Sequence, residues 1–357
     1  MVSLIQSFPP YLIAAVASNW RIQDKPSSSY SALTSFPKHR RTSFIVSAAN
    51  PDDYHATLKA LNSRNRFPRK SLGQHYMLNS TVNEQLVSVA NVKNGDLVLE
   101  IGPGTGSLTN VLIVAGATVL AIEKDPHMAA LVKERFADTD RLKVLEEDFT
   151  RCHIRSHMLS LLEGQNLAAS DIRRAKVVAN IPFNISKDVV KQLLPMGDIF
   201  SEVVLLLQDE AALRLVEPSS KSSEYRPINV FVKFYSEWQF MPLMAVNTVY
   251  CSEMWVFGSP KVRCNILVLT QVDAAVVTFK LKHPSEYPSV PSIESFFSLV
   301  HSAFNGKRKM LRKTLQHMFT SSEIEAALDG AGLPATSRPD ELTLDDFVKL
   351  HNSLASS

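Results

Sequence analysis

Five short apolar runs between residues 96 and 210 alternate with stretches of helical pattern, and this alternation limits the fold more than any other feature. The runs are DLVLEI (96–101), ATVLAIEKD (117–125), RLKVLEEDFT (141–150), AKVVANIPF (175–183) and SEVVLLLQDE (201–210). Each has the length and the β-branched character of a buried strand. Strands that alternate with helices form a parallel sheet, and such sheets bind ligands at the carboxyl ends of their strands. The sequence therefore predicts an α/β fold with a ligand site at that edge.

A glycine-rich turn with the spacing E-x-G-x-G-x-G follows the first run. Gly102, Gly104 and Gly106 allow a tight turn and let a ligand approach the backbone without meeting Cβ atoms. Glu123 lies 21 residues after Gly102, where a carboxylate can accept hydrogen bonds from both ribose hydroxyls of an adenosine-type cofactor. With Glu100 in front, the turn is similar to the first motif of S-adenosylmethionine-dependent methyltransferases. An NAD-dependent dehydrogenase is the alternative, although its G-x-G-x-x-G fingerprint has the third glycine one residue later.

Asp148 ends the third run, at the same predicted edge of the sheet. A carboxylate there can accept a hydrogen bond from the N6 amine of an adenine, with the ring of Phe149 beside it. The alternative is that Asp148 caps the helical segment that follows, as aspartate often does. The sequence supports both interpretations.

Asn180-Ile181-Pro182-Phe183 ends the fourth run and suits neither a helix interior nor a central strand. An exocyclic amine of a base is a poor nucleophile because its lone pair is delocalised into the ring. The side-chain oxygen of Asn180 and the carbonyl of Ile181 can accept its N–H groups and favour the pyramidal nitrogen. Pro182 fixes the turn, and Phe183 can stack on a base that has left its helix. The block therefore predicts methyl transfer governed by positioning, and the alternative is a strand-end turn with a buried phenylalanine.

Several blocks, in chain order, resemble the KsgA-type ribosomal RNA adenine dimethyltransferases. They are FPRKSLGQHYMLN (67–79), EIGPGTGSLT (100–109), ANIPFNIS (179–186), LLLQDEAALRL (205–215) and AFNGKRKMLRKTL (303–315). The resemblance implies a Rossmann-like class I S-adenosylmethionine-dependent methyltransferase with a small C-terminal helical domain. It also implies methylation of the N6 amines of two adjacent adenosines in the 3′-terminal hairpin of small-subunit ribosomal RNA, with S-adenosylmethionine as the donor.

The resemblance also implies roles for individual residues. His75 stands where many members have asparagine, Met77 where they have leucine, and Phe183 where they have tyrosine. The basic residues near the C-terminus, on a helix, would cover one side and suit phosphate contacts. The cofactor contacts are His75, Met77, Gly102, Gly104, Glu123, Asp148 and Asn180; the catalytic residues are Asn180, Ile181, Pro182 and Phe183; the RNA contacts are Arg69, Lys70, Lys307, Arg308, Lys309, Arg312 and Lys313.

The same blocks divide the chain into a leader, a linker and two domains. Residues 1–49 are rich in serine and more basic than acidic, which is typical of a transit peptide and favours the chloroplast stroma over the mitochondrion. Residues 50–66 form a linker, 67–285 the methyltransferase domain and 286–357 a helical RNA-binding domain. The expected partner is small-subunit ribosomal RNA within a pre-ribosomal particle, bound by a monomer.

Neither a membrane span nor a metal site is expected from the sequence. No apolar run reaches the roughly 18 residues that a membrane helix needs. The three cysteines, Cys152, Cys251 and Cys264, have neither C-x-x-C nor zinc-type spacing and are expected to be free thiols.

Residues 241–271 depart from the family pattern, which has a short loop rich in proline and phenylalanine here. The segment is either a genuine insertion or an error of the gene model, and sequencing the transcript across it distinguishes the two. Two other functions remain open: an assembly protein that keeps the fold without needing catalysis, and methylation of large-subunit ribosomal RNA. The intact glycine turn and the Asn180 block argue against the first, and the leader and the 303–315 block favour the small subunit.

Overall fold

A computed structural model of the chain describes residues 76–77, 80–164, 174–181, 185–216, 224–255, 263–306 and 309–356. Among the helices of these residues, none is long and apolar enough to cross a bilayer. Several predictions fall outside the described residues, namely those on the leader 1–49, the linker 50–66, and Arg69, Lys70, His75, Pro182, Phe183, Lys307 and Arg308.

Eight strands of the described residues form one sheet. They are β1 (Tyr76–Met77), β2 (Leu97–Ile101), β3 (Thr118–Glu123), β4 (Leu142–Glu146), β5 (Ala175–Asn180), β6 (Phe200–Gln208), β7 (Ser236–Trp255) and β8 (Arg263–Leu281). Their order is β1-β7-β8-β6-β5-β2-β3-β4. Strands β2 to β6 pair in parallel, which confirms the five predicted strands, whereas β8, β7 and β1 pair antiparallel. If β1 is left out and β2 to β8 are renumbered 1 to 7, the order read from β4 is 3-2-1-4-5-7-6. This is the strand order of the class I methyltransferase fold.

Helices fill the connections between the strands and follow the last one. They are α1 (Ser80–Val89), α2 (Ser107–Val114), α3 (Pro126–Arg135), α4 (Ile154–Gly164), α5 (Ser186–Leu193), α6 (Asp209–Val216), α7 (Pro227–Tyr235), α8 (Ile293–Ala303), α9 (Leu311–Thr314), α10 (Ser321–Gly330) and α11 (Leu344–Ala355). Local chemistry explains several of their starts. Asp125 caps α3 by accepting from the backbone N–H of His127, and Thr343 and Asp346 form a reciprocal capping box at α11.

The sheet separates two apolar layers, because successive side chains of a strand point to opposite faces. In β2, Val98 packs with α1 and α2 on one face, whereas Leu99 belongs to the larger layer on the other. That larger layer also contains Phe234 of α7 and Phe296 of α8, whose ring centroids are 5.2 Å apart. The helices after β8 therefore share a hydrophobic core with the sheet.

Strands β7 and β8 continue beyond the rest of the sheet as a two-stranded ribbon. Pairing between β6 and β8 ends at Gln208 and Ala274, and Ala274 also pairs with Leu243 of β7. Beyond an irregularity after Leu243, residues 246–255 and 263–272 pair with each other and, through 248–249, with β1. Because β8 runs antiparallel to β6, the ribbon projects from the edge at which the parallel strands end. Segment 241–271, which departs from the family pattern, thus forms most of this ribbon.

Gly197, between α5 and β6, has no room for a side chain. A Cβ atom there would lie 1.9 Å from the carbonyl oxygen of Lys282, which is backbone and cannot rotate away. We expect Gly197→Ala to lower the free energy of unfolding by about 1–3 kcal/mol, the usual cost of overpacking. Denaturant unfolding measures this loss. Gly330→Ala is the control, because its nearest neighbour is the Ser353 hydroxyl at 3.2 Å; equal stabilities of the two variants would contradict the steric argument.

Candidate active site

The glycine-rich turn joins β2 to α2 through three residues with positive φ. Gly102, Gly104 and Gly106 have φ values of 67°, 56° and 81°, in the region that L side chains rarely adopt. A Cβ atom on Gly106 would lie 2.8 Å from the ring of Phe136, whereas one on Gly102 would meet nothing within 4 Å. Gly106 is therefore required for packing, and the backbone at Gly102 faces open space that a ligand can enter.

Glu123, the last residue of β3, holds the turn in place. One carboxylate oxygen accepts from the backbone N–H of Gly104 at 3.2 Å, and the other accepts from that of Asp125 at 2.9 Å. Burial raises the pKa of Glu123, although these N–H donors oppose the rise. Each oxygen keeps a second lone pair, so the carboxylate can also accept from two hydroxyl groups of a ligand.

Glu100, the first residue of the E-x-G-x-G-x-G motif, lies beneath the turn rather than in it. Its side chain is 1% exposed and accepts a hydrogen bond of 2.7 Å from the hydroxyl of Thr109. Burial raises the pKa of Glu100 to about 8, and the negative charge of Glu123 adds to the rise. The carboxyl therefore supports the turn from within the core, a role that the sequence motif alone did not reveal.

The raised pKa of Glu100 predicts a particular pH dependence of stability. With a pKa of about 8, the Glu100 carboxyl holds its proton in the folded chain up to about pH 8, whereas an unfolded chain releases it near 4.5, the ordinary pKa of glutamate. The stabilisation of the fold that comes from the proton on Glu100 is thus complete below pH 4.5 and is lost as the pH rises toward 8. The loss is at most about 1.4 kcal/mol per pH unit. Glutamine cannot ionise, so Glu100→Gln should lose less stability than the parent over this range.

Guanidinium unfolding of both chains at several pH values between 5 and 8 measures the difference. The contributions of the other titrating groups to the pH dependence cancel in this comparison, because the parent and the variant share those groups. Glu84→Gln, at an exposed position of α1, is the control and should follow the parent. Identical pH profiles for Glu100→Gln and the parent would show that Glu100 is ionised in the folded chain.

Asp148, two residues beyond the end of β4, already has partners in the structure. Its carboxylate contacts the Lys124 ammonium at 2.8 Å and accepts from the backbone N–H of Thr150 at 3.0 Å. Hydrogen bonding to Lys124, followed by that to Thr150, lowers the pKa of Asp148 to about 2. The capping alternative is therefore observed, for the short turn Phe149–Arg151. Phe149 is 4% exposed and packs in the core, so it supports the turn and offers little ring surface to a ligand.

Asn180 ends β5 and is half-buried at the same edge of the sheet. Within the described residues its side chain makes no hydrogen bond, although its backbone pairs with Leu206 of β6. Ile181, which follows, is 2% exposed and belongs to the core. The buried side chain of Ile181 anchors the start of the segment, and the Asn180 amide lies at the ligand-binding edge of the sheet.

The order of the strands brings these residues together. β2 lies between β5 and β3, and β4 follows β3, with neighbouring strands about 4.8 Å apart. Five of the predicted positions lie at or just beyond the carboxyl ends of these strands. Met77 lies elsewhere, in β1, where its backbone pairs with Thr248 of the ribbon. The positions that share the edge are Gly102, Gly104, Glu123, Asp148 and Asn180.

Comparison with known proteins assigns the family. The model of the family described as ribosomal RNA adenine dimethylase matches residues 65–356. The chain belongs to the ribosomal RNA adenine dimethylase family. The chloroplastic ribosomal RNA small subunit methyltransferase of Arabidopsis thaliana is 63% identical over 344 residues, covering 96% of this chain and 95% of that protein. The ribosomal RNA small subunit methyltransferase A of Protochlamydia amoebophila is 31% identical, covering 83% of this chain and 95% of that protein.

Solved structures agree with the fold. A dimethyladenosine transferase from Plasmodium falciparum has a TM-score of 0.56 at 23% identity, covering 76% of this chain and 94% of that one. The 23S rRNA methyltransferase ErmE has a TM-score of 0.50 at 20% identity, covering 81% of this chain and all of that one. At these identities the likeness concerns the fold alone.

The cofactor of this dimethylase family, S-adenosylmethionine, fits the residues at the edge of the sheet. The backbone at Gly102 faces open space, and the Glu123 carboxylate, which two backbone N–H groups already orient, can accept from ribose hydroxyls. Gly104 is fixed by that carboxylate and completes the cradle. A methyl donor held by these residues would lie beside the end of β5, where Asn180 is placed.

The basic residues predicted to contact RNA are only partly described. Lys309 and Lys313 are exposed, and Arg312 is half-buried. Among the described residues of 306–315, only Leu311–Thr314 is helical, which differs from the helix considered for this segment. Leu311 and Thr314 are buried and hold this single turn against the C-terminal helices, so Arg312 and Lys313 lie on one turn rather than along the side of a longer helix.

Sequence reasoning missed two residues that hold the site together. Lys124 pairs with Asp148, and Thr109 donates to Glu100. Lys124 lies between two acidic residues at the end of β3, and this position next to a predicted site carboxylate was the available signal. Thr109 gave none, because its partner is nine residues away and only the turn brings them together.

Proposed function

We propose that this chain dimethylates the N6 amines of two adjacent adenosines in the 3′-terminal hairpin of small-subunit ribosomal RNA. Membership of the ribosomal RNA adenine dimethylase family supports the reaction, and two relatives named as small-subunit methyltransferases support the substrate. The observation that carries the proposal is the position of the Asn180 amide, which has no partner among the described residues and lies next to the open turn at Gly102.

In this mechanism the chain positions an amine rather than activating it by a strong base. The Asn180 side-chain oxygen and the Ile181 carbonyl accept the two N–H groups of the adenine, and the nitrogen lone pair is thereby turned away from the ring. Pro182 fixes the direction of that carbonyl, and Phe183 stacks on the base. S-adenosylmethionine, when bound, supplies an electrophilic methyl group. The methylated amine is acidic and releases its proton readily, so positioning accounts for most of the acceleration.

Backbone groups of the glycine turn and two carboxylates bind the cofactor in this proposal. In the proposal, Gly102 and Gly104 approach the cofactor through their backbone, Glu123 accepts from the ribose hydroxyls and Asp148 accepts from the adenine N6 amine. Lys124 and Thr150 hold the Asp148 carboxylate ionised and oriented, which suits a hydrogen-bond acceptor. His75 and Met77 complete the proposed set.

The proposed site of action is the chloroplast stroma. A relative that is 63% identical over 96% of the chain is named as chloroplastic, and residues 1–49 have the composition of a transit peptide. The proposed partner is the small-subunit ribosomal RNA within a pre-ribosomal particle, bound by a monomer. Exposed Lys309 and Lys313, with Arg312, would contact its phosphates.

A methylation assay with mapped products tests the proposal. The full chain is incubated with methyl-labelled S-adenosylmethionine and undermethylated small ribosomal subunits, and the labelled positions are mapped by primer extension. Dimethyladenosine at two adjacent positions of the 3′-terminal hairpin, absent with Asn180→Ala, is the expected result. A parallel incubation with large ribosomal subunits tests the alternative substrate, and label only in large-subunit RNA would overturn the proposed one. No label from a chain that binds the cofactor would favour an assembly protein.

A further inference from the structure

Three side chains of different chemistry converge beside the turn that carries Asp148. Glu147 precedes that turn, Cys152 follows it, and His157 lies on α4. One ligand atom from each lies within 4.8 Å of the other two, and His157 Nε2 is 3.6 Å from a carboxylate oxygen of Glu147. Among the described residues, this is the one group of three or more such side chains that is close enough to hold a metal ion.

The donor set selects the kind of metal. A thiolate, an imidazole and a carboxylate together suit Zn²⁺ rather than Mg²⁺ or Ca²⁺, which prefer oxygen ligands only. Tetrahedral zinc with ordinary bond lengths sets its ligand atoms about 3.3–3.7 Å apart. The ligand atoms lie within 4.8 Å of one another, so they must approach by at most about 1.1–1.5 Å, a distance that side-chain rotation can close. Cys152 is buried, whereas the side chains of His157 and Glu147 are 30% and 42% exposed and can move.

The burial pattern also leaves room for a fourth ligand. His157 and Glu147 both reach solvent, so a water molecule can complete the tetrahedron, as at zinc sites with three protein ligands. The backbone around the thiol is fixed, because the Gln192 side chain of α5 donates to the Cys152 carbonyl at 3.2 Å. A rigid buried sulfur and two adjustable exposed ligands are a suitable arrangement for capturing an ion from solution.

We propose that Glu147, Cys152 and His157 bind one Zn²⁺ ion and thereby fasten the Asp148 turn to α4. Binding replaces the thiol proton of Cys152, which is released to solvent, and no electron is transferred. No zinc-type spacing marks the site in the sequence, because its three ligands are separated by a turn and the start of a helix. The role of the clamped turn in holding the cofactor rests on the function proposed for Asp148, but metal binding itself does not.

Cobalt(II) is the probe, because a Co²⁺–thiolate bond gives a charge-transfer absorption that zinc lacks. The full chain, stripped of metal with a chelator, is titrated with Co²⁺ and then with Zn²⁺. We expect a thiolate-to-cobalt band that saturates at one equivalent and disappears when Zn²⁺ displaces the cobalt. Cys152→Ser should abolish the band, and His157→Asn should weaken the affinity for Co²⁺ at least about tenfold.

Two controls separate this site from other thiols and imidazoles. Cys251→Ser/Cys264→Ser removes the other cysteines, and His153→Asn removes an exposed histidine at the start of α4; both variants should keep the band and the affinity. Circular dichroism verifies that each variant is folded, and His157→Asn, at a partly exposed position, serves if Cys152→Ser does not fold. Absence of a thiolate band, or a band that survives Cys152→Ser, overturns the proposal whether or not the chain methylates RNA.

Discussion

Asn180→Ala is expected to lower kcat for methyl transfer by about 10²–10³-fold, the usual loss when one preorganised polar contact to the reacting group is removed. The effect on the dissociation constant of S-adenosylmethionine should be small by comparison. The reason is the place of the amide, at the end of β5 and beside the glycine turn, with no hydrogen bond to another described residue. In the proposed mechanism the Asn180 oxygen accepts a hydrogen bond from the substrate amine, so the substitution should lower the rate of the chemical step.

Single-turnover methylation of undermethylated small subunits measures the rate, and calorimetric titration measures cofactor affinity. Asn180→Asp is the informative comparison, because aspartate keeps an oxygen acceptor at the same position. It should retain more of the rate than Asn180→Ala. If the alanine variant instead lost cofactor binding and kept its rate at saturation, Asn180 would act on the cofactor and not on the amine.

Glu123→Ala is expected to weaken the binding of S-adenosylmethionine by about 10²–10⁴-fold. Two hydrogen bonds to a charged acceptor are lost, each worth about 1.5–3 kcal/mol. The backbone N–H groups of Gly104 and Asp125 also lose their acceptor, so the turn becomes less ordered. The larger part of the loss should appear in the dissociation constant, and the rate at saturating cofactor should change less.

Glu146→Ala provides a matched control for this experiment. Glu146 pairs with Glu123 across β4 and β3, but its side chain is exposed. Calorimetric titration of both variants should show near-parental affinity for Glu146→Ala only. Equal affinities in the two variants would remove Glu123 from the cofactor site, and a thermal melt of each confirms that the comparison concerns folded chains.

The sequence predicted the parallel strands and the edge at which the site lies, for a physical reason. Strands buried on both faces are nearly continuous apolar runs, and the polar residues that end them must emerge at one edge. Glu123 and Asn180 were found in this way, because each interrupts an apolar pattern where a strand stops. The helical character of residues 286–357 was also predicted, and the capping box of Thr343 and Asp346 at the start of α11 is one local cause of it.

Features that depend on tertiary contacts were not predictable. The pairing of Lys124 with Asp148, and the convergence of Glu147, Cys152 and His157, require the turn after β4 to fold back toward its neighbours. For segment 306–315 the prediction was wrong in the other direction, because the composition favoured a helix that is longer than the one observed. Buried Leu311 and Thr314 fix a single turn there, and packing decides where the helix begins and ends.

The geometry of the ribbon of β7 and β8 determines how the chain can be shortened without breaking its central sheet. Leu243 and Ala274 face each other across neighbouring strands, so a transcript that omits the codons between them leaves two chain ends about 5 Å apart. A turn of two residues can close such a gap. Long and short forms of the protein would then share every strand pairing between β6 and β8, and, apart from the ribbon's own pairs, the short form would lose only the pairing of β1 with residues 248–249 of the ribbon.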